Sequence, residues 1–243
     1  MKLNSTTTGS GPIHVGLVHG LSADTGTWGP FIERMLQTGR YTVTAVDLRG
    51  HGTSARSSSY RLEDMADDLV GSLPSGLHSV VGHSLGGAVL VRAVARLAPE
   101  HAVYLDPGFG LQLPTTGLAG RLFWMAPLLS LGVAGLGEAR ASAATRASYS
   151  AETRALISDA KKRFDSRMAV GVFREVVFNP MRAGAPAVPS TIVLSDQSRT
   201  VLSDDLAAQL ERDGWQIRRL SGINHDMHLE DPDRLLELIS DVL

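Results

Sequence analysis

Residues 82–87 read Gly82-His83-Ser84-Leu85-Gly86-Gly87, directly after the short apolar run Ser79-Val80-Val81. A serine between two glycines, where a strand gives way to a helix, matches the pattern G-x-S-x-G over residues 82–86. On so sharp a turn the glycines remove side chains that would clash, and the serine hydroxyl projects at the carboxyl edge of a sheet. The helix that follows directs its first N–H groups at the same point, where they can hold a developing oxyanion. A hydroxyl alone is a weak nucleophile. The reading therefore needs a base, an acid to orient that base, and a second N–H donor.

Working outward, strand and helix patterns alternate on both sides of this turn. Strands are expected over Ile13 to Val18, Tyr41 to Asp47, the stretch before Ser84, and Ala102 to Leu105. Helices are expected over Trp28 to Gln37, Arg61 to Ser72 and about Leu85 to Leu97. The alternation stops at Pro107 and resumes with a strand over Thr191 to Leu194. A helix over Ser203 to Arg212 and a strand over Gln216 to Leu220 follow. A last helix is capped by Asp231, with Pro232 in its first turn. Such alternation predicts an α/β fold, a mostly parallel central sheet with helices on both faces. The core domain is expected to comprise residues 1–106 and 190–243. Residues 107–189 form a helical insertion, with helices over Ala151 to Phe164 and Ser166 to Phe178.

Composition sets the outer bounds. The chain has 243 residues, 43% hydrophobic and 20% charged, with a formal net charge of −2. This balance suits a globular domain and gives no sign of nucleic acid or an anionic membrane as partner. Cysteine is absent, which removes thiolate chemistry and disulfides. The first dozen residues are polar and lack the apolar core of a secretory signal. The most apolar stretch, Leu122 to Gly137, is interrupted by Pro127, Gly132 and Gly135 and is too short for a membrane span. A cytoplasmic protein is the default expectation, and the oligomeric state is left open.

His19-Gly20-Leu21 closes the first strong strand, where the second oxyanion N–H is expected from Leu21. Together with "DLRGHGTS" at 47–54, "GHSLGG" at 82–87 and "GINHDMHLEDP" at 222–232, this order of motifs resembles the α/β-hydrolase superfamily. The resemblance spans the chain outside the insertion. It implies an α/β-hydrolase fold with a helical cap, Ser84 as nucleophile, His225 as general base, and an oxyanion hole from the N–H groups of Leu21 and Leu85. An imidazole titrating near neutrality suits that exchange of protons. Many relatives carry their acid at a position that here holds Ser198, so the acid must come from elsewhere. Asp196 is preferred because the loop after its strand is the usual acid site, with Asp106 as the alternative.

The activity implied is a serine esterase needing no cofactor, acting on a small carboxylic ester, lactone or thioester. The same residues could instead serve carbon–carbon cleavage, elimination or cyclisation, and a receptor-like member without turnover is a third reading. Phe123, Trp124 and Met125 open the insertion and are expected to line the substrate pocket. No metal is expected, because His225 and His228 have no third ligand in view. His83 reads as a packing residue, the 47–54 loop as scaffold, and Lys161-Lys162-Arg163 as a solvated helix face.

Overall fold

The computed structural model describes residues 1–109, 145, 147, 149–197 and 202–243. Among these, seven strands form one sheet: β1 (Ser5–Gly9), β2 (Ile13–Val18), β3 (Tyr41–Val46), β4 (Ser79–His83), β5 (His101–Leu105), β6 (Ser190–Ser195) and β7 (Gln216–Leu220). Their spatial order is β1-β3-β2-β4-β5-β6-β7. Only β1 runs antiparallel, against β3; the other neighbouring pairs are parallel. The described helices are α1 (Gly29–Gln37), α2 (Leu62–Ser72), α3 (Leu85–Leu97), α4 (Ala151–Lys162), α5 (Met168–Phe178), α6 (Asp204–Arg212), α7 (Met227–Glu230) and α8 (Pro232–Ile239).

The central strands β4, β5 and β6 are buried on both faces, which is why they read as near-continuous apolar runs. Successive side chains divide between two cores. Val80, Ala102, Tyr104 and Ile192 pack with Leu62, Met65 and Leu69 of α2 and Leu90 of α3. Val81, Val103, Leu105 and Val193 face the other way, onto Phe31 and Met35 of α1 and Leu235 and Ile239 of α8. Side-chain caps start several helices: Ser150 accepts from the Thr153 N–H, Ser203 from Leu206, and Asp231 from Arg234. No described helix is long and apolar enough to cross a membrane.

β1 had no counterpart in the sequence reading. All five of its residues are exposed, so it carries no alternation between apolar and polar positions. Backbone pairing places it, from Ser5 opposite Val46 to Gly9 opposite Thr42.

The order of strands locates the site. From β2 the chain moves outward to β3, then returns to place β4 on the other side of β2. The carboxyl ends of β2 and β4 therefore flank a switch in direction, where open α/β sheets form a crevice. His19 to Ser22, Ser84 and Asp106 directly follow β2, β4 and β5, and the loop carrying His225 follows β7.

Candidate active site

Ser84 occupies φ 51° and ψ −113°, a conformation that side-chain-bearing residues rarely adopt. Strain of this kind typically costs ~1–3 kcal/mol and persists only where neighbours over-determine it. Here they do. The Ser84 N–H donates to Leu105 O (2.9 Å), and Ser84 O accepts from the N–H groups of Gly87 (3.0 Å), Ala88 (3.2 Å) and Gly108 (2.9 Å). The flanking glycines are required by space. A Cβ on Gly86 would lie 2.2 Å from Val18 O, and one on Gly82 would lie 2.8 Å from Gly86 O. The elbow thus closes against the end of β2, which brings Leu21 toward the serine. Leu85 stands at the first position of α3, where an N–H has no partner within its own helix.

Ser84 and His225 line one cavity of about 110 Å³, together with Gly20, Leu21, Thr27 and Ile157. His225 Nδ1 lies 3.3 Å from Asp106 Oδ2. A carboxylate only accepts, so the shared hydrogen sits on Nδ1 and Nε2 is left with its lone pair. The Asp106 side chain is 2% exposed, against 31% for His225. Ser195 aligns the carboxylate, its N–H donating to Oδ1 (2.9 Å) and its hydroxyl to Oδ2 (2.6 Å). Asp106 itself stands at φ 38°, directly after β5.

The preference for Asp196 is reversed by this geometry. Asp196 is exposed, and both of its oxygens lie 2.9 Å from the Gly222 N–H. That bond, with a smaller contribution from Gln197, holds the carboxyl below its ordinary range. Asp196 anchors the loop leading to His225, while the carboxylate beside the imidazole belongs to Asp106. Both residues directly follow strands at the same sheet edge, so sequence spacing could not separate them. Ser195 was missed as a site residue because a serine at a strand end carries no signal of its own.

His83 donates from Nε2 to the His225 carbonyl (2.9 Å). Burial, and then the neighbouring His225, push its imidazole down to about 4. It steadies the His225 backbone as a neutral ring. His228 packs between Trp28 and His83, with centroids 4.4 and 4.6 Å away. Burial holds it well below the ordinary histidine range. Among the described residues no group of three or more His, Asp or Glu side chains converges as a metal site would require.

The basic run at the end of α4 is exposed, as a solvated face would be, but two of its side chains also have specific roles. Arg163 donates from Nε to buried Asp24 (2.9 Å), and Lys161 lines the cavity. α4 ends against the loop after β2, a contact that helical periodicity alone does not reveal. Phe123, Trp124 and Met125 lie outside the described residues, as does Ser198.

A model of the alpha/beta hydrolase family matches residues 17–238. The chain belongs to this family. A pimeloyl-[acyl-carrier protein] methyl ester esterase of Nitrosomonas europaea is 39% identical over 104 residues, 43% of this chain and 39% of that protein. A 2-(acetamidomethylene)succinate hydrolase of Mesorhizobium japonicum is 38% identical over 100 residues, covering 40% of this chain and 35% of that protein. The chain thus matches well under half the length of these two curated relatives. The solved enol-lactonase from Burkholderia xenovorans superposes with a TM-score of 0.74 at 20% identity, covering 99% of this chain and 95% of that one. At that identity the likeness supports the fold.

Proposed function

We propose that this protein is a serine hydrolase that cleaves a small carboxylic ester, lactone or thioester through Ser84, His225 and Asp106. The observation that carries this reading is the strained Ser84 sharing a cavity with a His225 whose Nδ1 faces a buried carboxylate. Ser84 Oγ attacks the carbonyl carbon while its proton passes to His225 Nε2. The N–H groups of Leu21 and Leu85 hold the tetrahedral oxyanion, and Asp106 stabilises the imidazolium. Collapse expels the alkoxide or thiolate, which takes its proton from His225. Water then attacks the acyl-enzyme, gives its proton to His225, and releases the acid as Ser84 regains its hydrogen.

Each part comes from the chain itself, so this route calls for no cofactor. Ester chemistry is in keeping with the first relative's name, and hydrolysis with both. Ile157 and Lys161 of α4 reach the cavity, which supports a cap role for residues 107–189. A panel of p-nitrophenyl esters, lactones and acyl thioesters tests the reading. The native protein should turn over at least one class, and Ser84→Ala should lose nearly all of that activity while melting at the native temperature. Activity retained in the alanine variant would rule the mechanism out.

A further inference from the structure

The oxyanion loop contains a contact that the triad does not explain. The hydrogen-bonding edge of its first peptide is fixed by His19. His19 Nδ1 donates to Gly20 O (2.8 Å), while its Nε2 accepts from the Leu48 N–H (3.0 Å). Gly20 O and Leu21 N belong to one peptide plane, and none of the described peptide bonds is cis. The Leu21 N–H must therefore point opposite to the anchored carbonyl. The next plane contains the Ser22 N–H, which donates to His51 Nε2 (3.2 Å). His51 Nδ1 in turn donates to Arg49 O (3.1 Å). Ser22 sits at φ 60°, in the left-handed region that a serine occupies only under constraint.

Two imidazoles thus fix the two successive peptide planes on either side of Leu21. The rings meet edge to face with centroids 4.8 Å apart, and Phe164 covers His51 at 5.0 Å. Both histidines are fully buried, and each spends its nitrogens on backbone groups. The cavity lining includes Leu21 and Ser22 but neither of these rings, so His51 lies behind the cavity wall.

We infer that His51 is a remote positioning residue, whose acceptor nitrogen holds the Ser22 N–H and so aims the Leu21 N–H at the oxyanion formed on Ser84. The inference rests on the serine-hydrolase reading above. An N–H aimed in advance acts on the transition state and contributes little to ground-state binding. Losing one oxyanion donor outright costs about 10²–10³ in kcat, so loosening one should cost on the order of 10–100-fold.

The test compares His51→Phe, which keeps a ring but has no acceptor, with His51→Gln, whose amide oxygen can reach the Ser22 N–H. Kinetics on a p-nitrophenyl ester are paired with inhibition by a trifluoromethyl ketone, which forms the tetrahedral adduct on the serine. His51→Phe should lose kcat on the order of 10–100-fold at nearly unchanged KM, with inhibitor affinity falling by the same factor. His51→Gln should recover to within about three-fold of native in both readouts. If His51→Phe does not fold, His51→Asn, too short to reach Ser22, is held to the same criteria. Folded variants with native kcat, or with reduced kcat but undiminished inhibitor affinity, would overturn the inference. A native protein that neither turns over esters nor binds the ketone would instead sink the serine-hydrolase reading beneath it.

Discussion

Asp106→Asn replaces one oxygen by NH₂ in a buried carboxyl that now accepts three hydrogen bonds, from the Ser195 N–H, the Ser195 hydroxyl and His225 Nδ1. An asparagine placed with its oxygen toward the Ser195 N–H turns its NH₂ toward His225. Donor then faces donor, and the imidazole escapes by moving its hydrogen to Nε2. Ser84 thereby loses the lone pair that would take its proton. In the general serine-hydrolase template this tautomer change lowers kcat by about 10⁴, or about 5 kcal/mol of activation free energy. The charge-assisted bonds from Ser195 weaken too, so stability should drop by ~1–3 kcal/mol. Asp196→Asn acts through the exposed contacts from Gly222 and Gln197 and keeps one oxygen to accept from the Gly222 N–H. Its kcat should stay within about ten-fold of native. Steady-state kinetics on the best ester of the panel, with thermal melts for each variant, separate the two effects. A larger kcat loss in Asp196→Asn than in Asp106→Asn would refute the pairing of His225 with Asp106.

Gly86→Ala would place a methyl 2.2 Å from Val18 O; backbone on both sides must shift, and denaturant melts should show a loss of ~3 kcal/mol or more. Native stability here would mean that the elbow does not pack against β2. Stability should also fall on acidification. His83 and His51 are pushed down to about 4 and about 3, chiefly by burial, and His19 and His228 are lowered for the same reason. Below about pH 6.5 the unfolded chain takes up protons that the folded chain refuses, so stability present above that pH is lost as it falls toward 4. Each such histidine contributes a slope of up to about 1.4 kcal/mol per pH unit; urea midpoints that do not change between pH 7.5 and 5 would contradict the buried neutral assignments. Arg163→Gln removes the tie between the end of α4 and Asp24. Because Arg163 is largely solvated, stability should change by less than about 1 kcal/mol, while KM rises in initial-rate assays. An unchanged KM would separate α4 from substrate binding.

Much of this architecture was legible because parallel strands buried on both faces leave continuous apolar runs. The runs before Ser84 and Asp106, and that over residues 191–194, announced β4, β5 and β6 almost to the residue. The elbow was legible for a steric reason, since only glycine fits at Gly82 and Gly86. Other features depend on contacts distant in sequence. Asp106 meets His225 across 119 positions and Ser195 across 89, and no local pattern distinguishes it from Asp196. β1 owes its place to backbone pairing, which side-chain periodicity does not encode. Arg163 reads as solvated on its own helix and finds Asp24 only when α4 meets the loop after β2.

Covalent labelling of Ser84 tests the central claim most directly. The native protein, treated with a fluorophosphonate and digested, should show one adduct per chain, mapped by mass spectrometry to the peptide containing Ser84. His225→Ala should slow the labelling by about 10³-fold or more, since the hydroxyl then has no base. A native protein that hydrolyses esters but carries its adduct on another residue, or labels equally fast without His225, would contradict the account.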